Sequence, residues 1–416
     1  MTKSKQPIPK LQHIHAAVIG LLFAMSLGYL GWNLVHTSQP VKGNFVTRGQ
    51  VPPAGDYIAF RTAGMMAARG QAEATYKMDS FMKELRPTTG TKAPLLSWAY
   101  PPSFFIFLVP FGVVPGWPGL GAWMLLSFAA AGVAGAIVAR EKLAALWGML
   151  YPGVCHAISC GQAGPFLALP LAMMIRFYEE RPFLAGMGLG LLALKPHFAI
   201  GPGLIMLAER RFKVIAGSVT TVILLAGISL MFGGIDLWKA FFQGVRDQAQ
   251  LALDGRLMLR RMISAFSFVR TLGVPNNPAL IIQAVCAAGM LAMAWHLWSR
   301  KTAPLWTRAI GMVIAALCLS PYAYDYDLAL LCVAFAPLAA SLGNNPTRWP
   351  WIGLVPLLIV ASVGPGLYIV GQSTKLSFGF PVLVLLALAA RFLPMAQPPK
   401  PASEDEATQP APQAAL

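Results

Sequence analysis

The sequence predicts an all-α, polytopic membrane protein. Of its 416 residues, 56% are hydrophobic and only 12% are charged, which is about half the charged fraction of a typical soluble domain. The mean hydropathy is +0.59, and long runs without Asp, Glu, Lys or Arg recur along the chain. Backbone polar groups in lipid need internal partners, and these runs are too continuous for barrel strands, so we expect helices. Their number indicates about 11–13 transmembrane helices in a single domain over residues 1–396.

Charge and cysteine usage exclude several classes of function. The net charge is +16, which fits anchoring at anionic leaflets and anionic ligands. Basic patches interleaved with aromatic residues are absent, so we expect no nucleic acid as a partner. The five cysteines all fall in apolar stretches without a CxxC spacing, and we interpret them as packing residues. No P-loop or dinucleotide fingerprint is present, and we predict neither a cofactor nor a metal.

The N-terminal part of the chain sets the predicted topology. An apolar run over residues 13–35 is long enough to remain as a membrane span, so no cleavable signal peptide is predicted. Three lysines precede this run, and the positive-inside rule therefore places the N-terminus in the cytoplasm. Residues 36–102 form the longest polar segment. We predict that they are a first extracytoplasmic loop that contains short helices.

Two later segments are irregular. Three prolines interrupt the next apolar run, which is either two spans or, as we prefer, a re-entrant piece over 103–114 followed by one span over 118–139. Residues 183–208 are expected to be two short helices broken at Lys195-Pro196. Each is about 12 residues long, roughly 18 Å of helix, which is less than the roughly 30 Å hydrocarbon core. Because short broken helices are tolerated where they line a cavity, this break indicates a site.

The remaining segments complete the predicted domain organisation. Residues 233–278 carry several arginines and are predicted to be a second outer loop. The Pro- and Ala-rich segment 397–416 is predicted to be a disordered cytoplasmic tail. No internal repeat is visible in the sequence, which disfavours a transporter built from duplicated halves.

With this topology, unusual polar residues collect at the outer ends of the helices. Asp56 begins a short amphipathic helix, where it either caps the helix or serves as a general base. Lys195 lies beside Pro196 and His197 in an apolar run, where it either snorkels or contacts an anion such as phosphate. Gln162 either joins helices by a hydrogen bond or contacts a sugar hydroxyl. Tyr100 precedes two prolines at the outer end of a predicted helix and is a further candidate.

Arginines and aspartates near the C-terminal half add further candidates. Arg256, Arg260 and Arg261 have helical spacing that puts Arg256 and Arg260 on one face; they are either a solvated surface or a contact for lipid phosphate. Asp325 and Asp327 are two residues apart and cannot share a helical face. One of them is expected to cap the helix while the other faces the cavity.

The order of several short motifs resembles glycosyltransferase family 87, a group of membrane enzymes in the GT-C superfamily. The motifs are GDYIAFRTAG, TYKMD, YPPSFFIFLVPF, GQAGPFLAL, GLLALKPHF and LSPYAYDYDLALL, and the resemblance covers roughly residues 50–335. It implies a GT-C-like helical bundle with a large first extracytoplasmic loop. It also implies an inverting enzyme that moves a hexose, often mannose, from a polyprenyl-phosphate sugar to a glycolipid or glycan. One departure is Tyr322, because a histidine often follows the Ser-Pro pair in such families.

The resemblance implies roles for the polar residues. Asp56 matches the carboxylate that acts as general base in the first outer loop. Lys195 and the three arginines Arg256, Arg260 and Arg261 suit the donor phosphate, while substrate contacts fall to Tyr100, Gln162, His197, Asp325 and Asp327. The implied location is the bacterial inner membrane, with the lipid bilayer as a partner and the active site facing outside.

Two other classes of function remain open at this point. A transporter or flippase for an anionic lipid or solute would use the same cations for binding and the broken helix for gating. A polymerase or ligase of surface polysaccharide would depend on the arginines of 246–270, and Asp56 would be dispensable.

Overall fold

The computed structural model describes residues 20–21, 24–32, 54–89, 97–344 and 365–392. Within these ranges the regular structure is helical, apart from one isolated antiparallel bridge between Met262 and Tyr324. The predicted all-α fold is therefore confirmed. Residues 24–32 are helical, and the α-helices that follow are α1 (Gly55–Ala68), α2 (Met78–Thr89), α3 (Phe105–Val113), α4 (Gly116–Ala139), α5 (Ala144–Met149), α6 (Pro152–Cys160), α7 (Gly164–Phe177), α8 (Pro182–Leu191), α9 (His197–Ala208), α10 (Phe212–Leu253), α11 (Ala265–Thr271), α12 (Asn276–Ser299), α13 (Leu305–Cys318), α14 (Cys332–Asn344), α15 (Pro365–Thr374) and α16 (Gly379–Phe392).

Several of these helices have the length and composition of membrane spans. In the described part of the chain, α4, α10 and α12 are long and apolar enough to cross a membrane. Shorter apolar helices include α7, α9, α13 and α16. The chain is thus a polytopic helical membrane protein. The predicted cytoplasmic N-terminus and the disordered tail over 397–416 lie outside the described residues.

The proline-rich run after residue 102 forms a short helix and then a long one. A 3₁₀ turn over Pro102–Phe104 leads into α3, and Val114 and Pro115 are extended before α4 begins at Gly116. A residue before proline is pushed out of the helical region, which explains why α3 ends there. This agrees with the preferred reading of one short piece followed by one long helix.

Helix α1 is fixed against α3 by a glycine contact. A Cβ atom on Gly64 of α1 would lie 2.1 Å from the carbonyl oxygen of Leu108, and one on Gly112 of α3 would lie 2.3 Å from the carbonyl carbon of Gly64. Only glycine at both positions allows the two backbones to approach so closely. The contact therefore fixes the position of α1, which carries Asp56.

The predicted break near Lys195 is confirmed. Helix α8 tightens into a 3₁₀ turn over Leu192–Leu194, and Lys195 leaves the helical region with φ −132° and ψ 83°. Pro196 both restricts Lys195 and lacks a backbone N–H, so the helix cannot continue through this point. Helix α9 then packs against α13, where a Cβ atom on Gly201 would lie 1.8 Å from the carbonyl oxygen of Ala315.

Residues 233–278, predicted to be a second outer loop, are helical over much of their length. Helix α10 continues through it to Leu253, with non-helical angles at Gly234 (φ 62°, ψ −159°) that mark a kink. The part before the kink has about the length of one membrane span at 1.5 Å per residue. Beyond the kink, Leu237 is buried, whereas its near neighbours Asp236 and Lys239 form an exposed ion pair. The charges belong to an amphipathic helix.

Replacing Gly112 by alanine is expected to destabilise the protein by about 1–3 kcal/mol, because the added methyl group overlaps the backbone of α1. Gly121→Ala is the matched control, since Gly121 lies in α4 and a Cβ atom there meets nothing within 4 Å. Thermal unfolding in detergent should give a lower Tm for Gly112→Ala and an unchanged or higher Tm for Gly121→Ala. Equal Tm values would contradict the close crossing.

Candidate active site

Two loops far apart in the chain are joined at the centre of the candidate site. The segment after α10 meets the loop before α14: Ile263 donates its N–H to the carbonyl oxygen of Ala323 at 2.8 Å, and the Ser264 hydroxyl donates to the carbonyl oxygen of Pro321 at 2.7 Å. The isolated bridge between Met262 and Tyr324 belongs to the same contact. Because of this pairing, the residues on either side of it face each other.

Arg261 and Asp325 form a bidentate ion pair at this contact. The guanidinium donates through Nε to Oδ2 at 3.1 Å and through Nη2 to Oδ1 at 2.9 Å. Asp325 is 1% exposed. A buried carboxylate is tolerated only when it is paired and hydrogen-bonded, and the two-point contact satisfies both needs.

Helix α6 supplies two further contacts to this pair, from His156 and Cys160. His156 is fully buried, and its Nε2 lies 3.3 Å from Oδ1 of Asp325. Its Nδ1 lies 3.4 Å from the hydroxyl of Tyr29. Cys160 shares a helical face with His156, because the two residues are four apart. Its Sγ lies 3.3 Å from Nη2 of Arg261.

Sequence reasoning missed His156, Cys160 and Tyr29. The interpretation of the cysteines as packing residues does not describe Cys160, which contacts a charged group. One signal was available: a histidine inside an apolar membrane run is costly and therefore marks a functional candidate.

Asp56 is held by an amide rather than by its own helix. Gln162 donates through Nε2 to Oδ2 of Asp56 at 2.7 Å, and the hydroxyl of Tyr100 donates to Oε1 of Gln162 at 3.2 Å. Helix α1 begins after Ala54, which is left-handed (φ 47°, ψ 58°) and provides no side-chain cap. The interpretation of Asp56 as an N-cap is therefore wrong. Its side chain contacts another part of the chain.

The pKa values of Asp56 and Asp325 are shifted in opposite directions, and both residues lie outside the apolar helices. Burial raises the pKa of Asp56 above its usual value of 3.8, although the hydrogen bond from Gln162 and the charge of Arg261 offset part of this. Burial also acts on Asp325, but His156 and Arg261 outweigh it and lower the pKa of Asp325. Paired carboxylates with separated pKa values are typical of acid–base sites. Asp56 is the one suited to take up a proton.

The turn at Gly161 separates a residue that contacts Arg261 from a residue that contacts Asp56. It joins α6 to α7 with φ +79°, a left-handed conformation that favours glycine. A Cβ atom there would lie 2.4 Å from the carbonyl oxygen of Ala54 and 2.5 Å from the backbone nitrogen of Tyr57. The residue before Gly161 contacts Arg261, and the residue after it contacts Asp56.

Lys195 is paired with the other aspartate. Its Nζ donates to Oδ1 of Asp327 in an ion pair, and it lies 4.7 Å above the ring of Phe198 and 5.4 Å above that of Tyr326. Oδ2 of Asp327 accepts from the backbone N–H of Tyr324 at 2.9 Å and so caps the 3₁₀ turn that begins at Asp325. This confirms that one of the two aspartates caps the turn while the other side chain points elsewhere.

The structure does not bring all predicted residues into this cluster. Arg256 is exposed in a non-helical stretch. Arg260 points elsewhere and donates through Nε to Oε1 of Gln372 at 2.9 Å. The prediction that Arg256 and Arg260 share a helical face is therefore wrong, because only Leu259–Arg261 is helical there, as a 3₁₀ turn. His197 packs edge-on against Phe198. Its buried Nε2 has no hydrogen-bond partner in the part of the chain that the structure describes.

Among the described residues, no group of three or more His, Cys, Asp or Glu side chains is placed to hold a metal ion. The acidic side chains of the cluster are paired with cations and amides instead.

Comparison with known families decides the class of the protein. The sequence profile described as glycosyltransferase family 87 matches residues 98–321, which is more than half of the chain. The chain belongs to glycosyltransferase family 87. Comparisons with curated proteins and with solved structures found no match. The resemblance seen in the motifs is thus confirmed, and the protein is a membrane glycosyltransferase.

The matched region holds only part of the cluster. Gln162, Lys195 and Arg261 lie inside residues 98–321, whereas Asp56 precedes the match and Asp325 follows it. The family 87 match therefore covers both cations of the cluster. The fold adds the carboxylates from outside it.

Replacing Lys195 by methionine is expected to lower the free energy of unfolding by about 3–5 kcal/mol, because Asp327 is left buried without its cation. Adding Asp327→Asn removes that charge but keeps an oxygen for the Tyr324 N–H, so the double variant should recover part of the loss. Unfolding of the wild type, both single variants and the double variant in detergent measures the coupling. Additive losses would show that the pair contributes nothing to stability.

Proposed function

We propose that this family 87 enzyme transfers a hexose, with mannose as the first candidate, from a polyprenyl-phosphate sugar to a glycolipid or glycan acceptor. The observation that carries this proposal is the Asp56 carboxylate, held at Oδ2 by Gln162 and electrostatically coupled to Arg261 and Lys195. A carboxylate base and two nearby cations match the two requirements of the reaction. The acceptor must lose a proton, and the donor must release a phosphate.

The proposed step is a single inverting displacement. Oδ1 of Asp56 accepts the proton of the acceptor hydroxyl while that hydroxyl oxygen forms a bond to the anomeric carbon. The bond from this carbon to the phosphate oxygen breaks, and its electron pair leaves with the polyprenyl phosphate. Asp56 ends protonated and returns its proton to solvent. The raised pKa of Asp56 supports this role, because a stronger base takes the proton more readily.

The departing phosphate gains negative charge, which Arg261 and Lys195 are suited to stabilise. Each cation is already oriented by an aspartate, Asp325 and Asp327 respectively. Long side chains that are fixed in advance lose little conformational entropy when substrate binds. Tyr100 and His197 remain proposed contacts for the sugar, and the unpartnered Nε2 of His197 suits a hydroxyl group.

The location follows from the chemistry of the donor. A polyprenyl chain is confined to the bilayer, so the reaction takes place at a membrane surface, and we propose the extracytoplasmic face of the bacterial inner membrane. The N-terminal lysines support this orientation through the positive-inside rule. Membership of a glycosyltransferase family disfavours the transporter.

Asp56→Asn is expected to reduce sugar transfer about 10²–10⁴-fold, the usual range for loss of a general base. The measurement is transfer of radiolabelled polyprenyl-phosphate mannose into extractable glycolipid and polymer by membranes that contain the enzyme. Asp79→Asn is the matched control, because Asp79 lies exposed in the first turn of the neighbouring helix α2.

Wild-type transfer that survives Asp56→Asn would overturn the role of Asp56 as base. Absence of transfer by the wild type with a panel of polyprenyl-phosphate sugars would overturn the donor class. Loss of activity in Asp79→Asn as well would indicate that the assay reports folding of this segment rather than chemistry.

The pH dependence of kcat provides a separate test. Because the base works only when ionised and burial raises its pKa, the acid limb should lie at higher pH than for an ordinary aspartate. Gln162→Leu removes a hydrogen bond that favours the ionised form, so the limb should move further toward neutral pH. Profiles of kcat for the wild type and Gln162→Leu measure this shift. A limb that stays in place or moves to lower pH would contradict the assignment.

A further inference from the structure

One tyrosine lies between the two aspartates that orient the cations and contacts both cations itself. Tyr326 separates Asp325, which pairs with Arg261, from Asp327, which pairs with Lys195. The Cζ of Arg261 lies 5.5 Å from the centroid of the Tyr326 ring, and the Nζ of Lys195 lies 5.4 Å from the same centroid. A cation over an aromatic face at such a distance is attracted by the quadrupole of the ring. Tyr326 therefore attracts both cations.

Each cation also lies over a second ring. Lys195 is 4.7 Å from the ring centroid of Phe198, and Arg261 is 5.1 Å from that of Tyr368. In the part of the chain that the structure describes, Tyr326 is the one ring that the two cations share. Its side chain thus relates the position of one cation to that of the other.

The Tyr326 ring is held in place by its own neighbours. The ring of Tyr324 stacks on it, with the centroids 5.1 Å apart and an angle of 8° between the ring planes. The backbone of Tyr326 belongs to the 3₁₀ turn over Asp325–Leu331. A Cβ atom on Gly164, at the start of α7, would lie 3.2 Å from the carbonyl oxygen of Tyr326. The ring is therefore a fixed surface for the cations.

We infer that Tyr326 is a positioning residue for the donor phosphate, because its ring holds Lys195 and Arg261 in a fixed relative placement in which both act on one phosphate group. The inference rests on the proposed function, since it takes these two cations as the phosphate site. An aspartate orients a cation and also cancels its charge. A neutral ring orients the cation and leaves its charge available to the phosphate.

The aromatic face, rather than the hydroxyl group, is the part of Tyr326 that performs this role. Burial raises the pKa of Tyr326 well above its usual value, and the charges of Asp327 and Asp56 raise it further. The phenol therefore stays neutral at neutral pH. Phenylalanine keeps the ring and its quadrupole, whereas leucine keeps only apolar volume. We expect Tyr326→Phe to retain the role and Tyr326→Leu to lose it.

The test is the kinetics of sugar transfer from polyprenyl-phosphate mannose in a series of variants at position 326. Fluorine atoms on a phenylalanine ring withdraw electron density from its face and weaken cation–π attraction, with little change in side-chain size. The kcat/KM for the donor should stay within about threefold of the wild type in Tyr326→Phe and should be about tenfold lower in Tyr326→Leu. Mono-, di- and trifluorinated phenylalanine should fall stepwise between these two. Most of the loss should appear in kcat, because the phosphate gains negative charge as it leaves.

Binding of polyprenyl phosphate without a sugar provides a readout that is independent of transfer. Its Kd, measured from the rise in Tm of the enzyme in detergent, should follow the same order through the series. Phe268→Leu is the matched control, because Phe268 is a half-buried ring in α11 and neither Lys195 nor Arg261 lies over it. This control should leave both readouts unchanged.

Equal kcat/KM values throughout the fluorinated series, or a Tyr326→Phe variant as impaired as Tyr326→Leu, would overturn the role of the ring. The fluorinated rings decide this even where Tyr326→Leu does not fold, since they keep the size of the side chain. Polyprenyl phosphate binding that follows the fluorine order, without transfer by the wild type from any donor in the panel, would support the role of Tyr326 and overturn the proposed function. Failure of the wild type to bind polyprenyl phosphate would overturn both.

Discussion

The ion pair of Arg261 and Asp325 is the interaction on which the candidate site depends. Its two hydrogen bonds join the segment after α10 to the loop before α14, and His156 connects the same carboxylate to α6. These parts of the chain are more than 60 residues apart, and backbone pairing alone joins only two of them. A carboxylate buried to this degree would be strongly unfavourable without such partners. The pair therefore fixes where the cation stands relative to Asp56.

The features that local sequence determines were predictable. Helical membrane spans follow from hydropathy, the break before α9 follows from a proline beside a lysine, and the different tasks of Asp325 and Asp327 follow from their spacing. Features that depend on distant partners were not. The amide that holds Asp56 lies 106 residues away along the chain, and no spacing rule relates two such positions. The charge content of residues 233–278 did not indicate that much of this segment is helical, because an amphipathic helix can have the composition of a polar loop.

The cluster pairs each of its two permanent cations with an aspartate. Lys195 and Arg261 are oriented by aspartates, so they cannot swing freely, but each aspartate also cancels the charge that it orients. Rigid placement and strong attraction for phosphate therefore compete within the same pairs. His156 adds a further partner to Oδ1 of Asp325, with its Nε2 3.3 Å away, and so helps to hold the pair with Arg261 in place. The buried imidazole is tolerated because both of its nitrogens have partners, Asp325 and the Tyr29 hydroxyl.

The turn at Gly161 has a consequence for how much the site can be varied. The backbone of this one residue is the only spacer between the side chain that reaches the cation half and the side chain that reaches Asp56, and it rests directly on the first turn of α1. In the proposed reaction, the separation between Asp56 and Arg261 is thus set by the backbone of Gly161, with no side chain in between that could vary it. Because the backbones are in direct contact, this separation can change very little. For the proposed enzyme, acceptors of different size have to be accommodated away from this turn, which keeps Asp56 and Arg261 at a constant distance.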